Sequence, residues 1–225
     1  GSKNEIYGKT GYAHLFEHMM FQGSKYYNDD YGKPVQQVGG RINGSTNFDR
    51  TRFYEIVPSN FLEMVLYLEA GRMGTLLDVT NQARLDNQRE VVKNEYRQRI
   101  ANRPYGTAFE KVHKLIYSKT HPYHWLASGD LEDISVATLE DAKAFFRKYY
   151  VPNNASLVIV GDFNEKQTTA WIKKYFGGIK RGKDIKRPNP EPPKIRGEIR
   201  KTYKEDVSLP RQYMVWHTVP ISHKD

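Results

Sequence analysis

A chain of 225 residues, 38% hydrophobic and 27% charged, can bury one large core, and its apolar runs fall well short of the ~20 residues of a membrane-spanning helix. The absence of cysteine excludes a disulfide framework and any thiolate-held metal. The net charge of +9 gathers between Lys173 and Lys204 among Pro and Gly, without a pattern of stacking aromatics, so no nucleic-acid partner is expected.

Residues 12–22 read as a helix, with Gly11 before it and Gly23 after it. Between 37 and 57 the β-branched and aromatic residues Ile42, Thr46, Phe48, Thr51, Phe53 and Ile56 give a strand pattern, and Gly39-Gly40 and Asn43-Gly44 mark turns or close backbone approach. A helix with Ser59 as N-cap follows, its apolar positions Leu62, Val65, Leu66 and Met73 recurring at helical spacing. A second long helix spans about 81–101, with an apolar stripe at Leu85, Val91, Val92 and Tyr96. Helices are expected at 107–117 and at 138–149, the latter capped by Thr138 with Asp141 three residues on. Ala155–Val160 reads as a buried strand and 165–176 as a helix. A Pro-rich linker covers 186–197, and strands at 198–203 and 212–219 would form a hairpin within 198–225. The fold class is therefore α+β, a mixed or antiparallel sheet packed against helices, with the main domain at 1–185.

His14-Leu15-Phe16-Glu17-His18 carries the chemistry. On a helix, residues four apart share a face, so His14 and His18 can bind one tetrahedral Zn²⁺ through neutral imidazoles. Glu17, three residues after His14, lies on that face too and can serve as a general base. A catalytic zinc needs three protein ligands, and the third must here be His, Asp or Glu. By pattern alone Glu90, Glu95, His121 and His124 are all candidates.

The segment Gly11-Tyr-Ala-His-Leu-Phe-Glu-His-Met-Met-Phe-Gln-Gly23 resembles the signature of the pitrilysin (M16) peptidases. The resemblance implies a metallohydrolase domain of the mitochondrial-processing-peptidase and LuxS type, with one Zn²⁺ per chain. It implies Glu95 as third ligand, and it puts Gln88 where the family often carries a supporting acid, leaving Glu90 as the alternative. Asn43, Gly44 and Ser45 resemble the edge strand that pairs with substrate backbone. His121 resembles a loop residue that is not a ligand, and His113 and His124 are read with it as structural.

The resemblance further implies a zinc-dependent endopeptidase acting on peptides or unfolded proteins. It requires a second M16-like half, in the same longer chain or in a partner, so the piece alone is expected to be inactive. A non-catalytic assembly or binding subunit is the alternative; such relatives typically lose the metal residues, all of which are present here. Half-size bacterial relatives point to the periplasm or cell envelope. The terminal hairpin is expected to fill an open edge of the main sheet.

Overall fold

The computed structural model describes residues 1–191, 193–194, 197–219 and 224. A short 3₁₀ turn, Ser2–Asn4, precedes helix α1, Tyr12–Met19. Helix α2, Gly32–Gln37, then leads into strands β1, Arg41–Thr46, and β2, Thr51–Ile56. These pair antiparallel, Arg41 opposite Ile56 and Thr46 opposite Thr51. Asn47 makes the hairpin turn, its side-chain oxygen accepting from the amides of Asp49 and Arg50, both at 2.9 Å.

Two long helices follow, α3 at Leu62–Val79 and α4 at Gln82–Tyr96. Ser59 does not cap α3: Pro58 fixes a 3₁₀ turn over Ser59–Phe61, and α3 begins after it with no side-chain cap. Asn81 does cap α4, accepting from the Arg84 amide at 3.0 Å. The helical stretch continues past α4 as a π-helical turn, Arg97–Ala101. Helices α5, Ala108–Ile116, α6, Leu131–Val136, α7, Leu139–Tyr149, and α8, Glu165–Phe176, complete the order. Thr138 caps α7 as expected, bonded to both the amide and the carboxylate of Asp141.

The apolar face of α1 is the centre of the core. Leu15 and Phe16 are fully buried, and with Tyr12 and Met19 of the same helix they pack against Leu85 and Val92 of α4, Ile134 of α6, and Ala142 and Phe146 of α7. Each such side chain contributes about 1.5–3 kcal/mol of burial. The opposite face of α1 is thereby turned toward the β1–β2 hairpin.

A second cluster locks the hairpin to α3. Arg72 is fully buried, paired with Glu55 of β2 at 3.2 Å and with Glu69, and its guanidinium lies 4.3 Å from the ring centres of both Tyr31 and Phe53. Two carboxylates and one guanidinium cannot all stay charged here at low cost. Burial, and then Glu69 beside it, pushes Glu55 up to about 9 from 4.5, while Glu69 stays low. Of the two acids, Glu55 is therefore the one that takes a proton more readily.

A raised carboxyl means that the folded chain binds more protons than the unfolded one, so stability falls as pH rises from 4.5 toward 9. Gln mimics the protonated acid. Between pH 7 and 9 the wild-type Tm should drop by about 5 °C from this group. Glu55→Gln should drop by less than half as much, and equal slopes in a thermal melt series would refute the assignment.

Three expected strands are not formed. Ala155–Val160 forms no strand among the described residues, and Val158 and Val160 are 78% and 91% exposed. Apolar β-branched residues favour the extended backbone, yet a strand also needs a neighbour to take its N–H and C=O groups. Residues 198–203 and 212–219 likewise make no ladder. Among the described residues the tail does not fill the sheet edge. It runs along α5 instead, where Tyr105 donates to the Leu209 carbonyl at 2.5 Å and Phe109 meets Tyr213 edge to face.

Candidate metal centre

Helix α1 presents His14 and His18 on the face away from its core contacts, and α4, packed against α1 through Leu85 and Val92, delivers Glu95. The His14 and His18 Nε2 atoms are 3.3 Å apart. Glu95 Oε2 stands 2.9 Å from His18 Nε2 and 3.6 Å from His14 Nε2. Ligand atoms around a tetrahedral zinc, each ~2.0–2.1 Å from the ion, lie roughly 3.3–3.4 Å from one another. Two imidazole nitrogens and one carboxylate oxygen therefore converge as a zinc requires. Among the described residues this is the one group of three or more His, Asp or Glu able to hold a metal.

The electrostatics suit a cation. Burial, reinforced by His18, pushes His14 down to about 4, which keeps it neutral and its lone pair available. Arg99, one helical turn beyond Glu95, takes the other carboxylate oxygen at 2.5 Å. That contact leaves Oε2 alone facing the imidazoles. The π-helical turn that carries Arg99 begins two residues after Glu95, a feature frequent at functional sites.

Glu17 faces the hairpin. Its Oε2 accepts a 2.6 Å hydrogen bond from the Thr46 hydroxyl, and Thr46 Oγ1 is 3.1 Å from that of Thr51. Burial raises the Glu17 carboxyl above its usual range, and the Thr46 bond opposes the rise. Gly44 comes so close that a Cβ there would lie 3.0 Å from Glu17 Cγ. The Asn43-Gly44 pair thus marks a close approach inside β1 rather than a turn.

The other sequence-predicted positions divide. Asn43, Gly44 and Ser45 lie on β1, whose outer edge is unpaired among the described residues. Gln88 is buried two turns before Glu95, but its amide bonds to Asn87. Glu90 points outward and pairs with Lys93. His113, His121 and His124 sit together in an aromatic pile with Phe48, Tyr117 and Tyr123, apart from the three converging ligands.

The family description "Insulinase (Peptidase family M16)" matches residues 1–127, and "Peptidase M16 inactive domain" matches 137–225. The chain belongs to the M16 family. The zinc protease PqqE of Helicobacter pylori is 34% identical over 229 residues, covering all of this chain and 51% of that protein. The crystal structure of a protease from the same organism superposes with a TM-score of 0.78 at 36% identity, covering 85% of this chain and 45% of that one. The first half of the periplasmic protease PqqL of Escherichia coli superposes at 0.70 with 22% identity, over 84% of this chain and 42% of that one, a likeness of fold. The chain thus spans about half the length of these M16 relatives.

From the sequence Thr46 was read in the edge strand with Asn43, Gly44 and Ser45 but not as a partner of Glu17, and Arg99 was not singled out. Arg99 could have been found, because it lies four residues after Glu95 on the same helical face. Thr46 contacts Glu17 only through tertiary packing. Thr46→Val keeps the shape and removes the hydroxyl. Without this donor the Glu17 carboxyl should titrate higher than in wild type, read by carboxyl NMR. An unchanged Glu17 titration would show that the Thr46 bond does not act on it.

Proposed function

We propose that this chain is the zinc-holding half of a zinc-dependent endopeptidase. His14, His18 and Glu95 hold one Zn²⁺, and Glu17 is the general base. The observation that carries this reading is Glu95 Oε2, brought from a separate helix to 2.9 and 3.6 Å from two imidazoles that are themselves 3.3 Å apart. The names of the relatives, which are zinc proteases, support it.

Bound zinc supplies Lewis-acid polarisation of the scissile carbonyl and acidifies water. The protein's residues do the rest. Glu17, raised by burial and fixed by Thr46, receives a proton from the attacking water at its free oxygen Oε1 and can return it to the departing amine. The unpaired edge of β1 at Asn43, Gly44 and Ser45 can hold a peptide as an added strand, with Gly44 letting its backbone approach Glu17. An extended segment offers free backbone groups to such an edge, which favours peptides and unfolded proteins as substrates.

The chamber is completed by a second M16-like half, as the length of the relatives suggests, and this half alone is inactive. The periplasmic relative supports a cell-envelope location. No helix is long and apolar enough to cross a membrane among the described residues. Metal content of the purified chain beside its Glu95→Gln variant tests the reading.

A further inference from the structure

Helix α1 begins without a cap of its own. Gly11 occupies the N-cap position at φ 86°, in the left-handed region, and offers no side chain to the first-turn amides. The acceptor comes from six residues upstream. Glu5 Oε2 accepts from the Gly11 amide and Glu5 Oε1 from the Ala13 amide, both at 2.8 Å. Glu5 is only 7% exposed, in a place where an acid is rarely tolerated unless paired. Burial pushes its carboxyl up to about 8, against the pull of the two amides. The opposite side of the same turn is gripped by Asp133, whose Oδ2 accepts from both the amide and the hydroxyl of Thr10, at 2.9 and 2.6 Å. That grip lies outside the helix. Among the described residues, Glu5 is the acid whose side chain accepts from the amides at the start of the helix itself.

We propose that Glu5 is the positioning residue of the metal helix: by holding the amides of Gly11 and Ala13 it sets the height and rotation at which α1 presents His14 and His18. Three features make its effect larger than that of an ordinary cap. Ala13 immediately precedes His14, so a shift at its amide passes straight to the first ligand. The helix has only eight residues, a length that is marginal unless held from outside. A zinc site needs its ligand distances within about 0.2 Å, so looseness in α1 appears first as lost metal affinity.

The zinc part of this inference rests on the proposed ligand set; the ordering of α1 does not. The test uses the chain itself as wild type, Glu5→Ala and Glu5→Gln, with Val35→Ala as control. Val35 is fully buried in the separate cluster with Tyr31 and Leu68, so its truncation lowers stability without touching the turn. Hydrogen exchange of the metal-free proteins reports on α1, and competition against a chromophoric chelator gives the zinc Kd. Glu5→Ala should raise Kd about 10- to 100-fold, as loss of a supporting partner does, and deprotect residues 12–19 relative to α4 and α7. Glu5→Gln, which keeps one acceptor oxygen, should fall between, and Val35→Ala should leave both readouts near wild type.

Protection and Kd within about twofold of wild type in folded Glu5→Ala would overturn the proposal. So would an equal weakening in Val35→Ala. If Glu5→Ala does not fold, Glu5→Gln decides on the same readouts. If wild type takes up no zinc, the ligand reading fails, and exchange across α1 still decides the role of Glu5.

Discussion

The wild-type chain, equilibrated with zinc at neutral pH and freed of excess, should carry about one ion by mass spectrometry, and Glu95→Gln almost none. The three donors are 2.9–3.6 Å apart, and only Glu95 brings a negative charge. Replacing it by an amide removes that charge and substitutes a weaker oxygen donor. It also turns the ion pair with Arg99 into a weaker hydrogen bond to a neutral oxygen. Loss of a partner behind a ligand typically costs 10- to 100-fold in affinity, so loss of a ligand should cost about 100-fold or more. The fold should persist, since Glu95 lies at the end of α4 while Leu85 and Val92 carry its packing. Equal zinc in both proteins would show that the third ligand is another residue. No zinc in either would leave M16 membership intact and remove the metal from this piece of it.

Much of this site was legible because its parts are local. His14, Glu17 and His18 lie within five residues, and the helical period alone puts them on one face. Glu95 was not legible in that way. Pattern left Glu90, His121 and His124 beside it, and only resemblance chose. The packing of α4 on α1 through Leu85 and Val92 is what turns Glu95 inward and Glu90 out to Lys93. Caps followed the same division. Thr138 was readable because donor and acceptor are three residues apart, whereas Ser59, read in the same way, is taken up by the 3₁₀ turn after Pro58, and Asn81 was read only as the start of its helix. The cap of α1 was not readable, because Glu5 reaches it across a turn that the sequence does not describe. The failed strands have one cause. Ala155–Val160 has the composition of a strand, but pairing is a property of two segments, and none of the described residues forms a ladder with it.

Replacing Glu17 by Gln should separate metal holding from catalysis. The amide has nearly the shape of the acid, and its oxygen can still accept the 2.6 Å hydrogen bond from Thr46. Burial already disfavours the charged form of Glu17, so a neutral group there costs the fold nothing and should leave Tm equal or slightly higher at neutral pH. Glu17 is not one of the three converging donors, so zinc should stay at the wild-type level. An amide cannot take up a proton from water, however, and loss of a general base typically lowers the rate 10²- to 10⁴-fold. In the whole protein, cleavage of an unstructured fluorogenic peptide should therefore lose about that factor in kcat, with KM little changed. Because peptide binding at the β1 edge and polarisation of the carbonyl survive, the residual rate should remain above that of protein stripped of metal. A kcat within threefold of wild type would mean that Glu17 is a neighbour of the centre and that another group carries the proton. A variant that lost its zinc as well would mean that Glu17 supports the ligands and that its role in proton transfer had not been isolated from theirs.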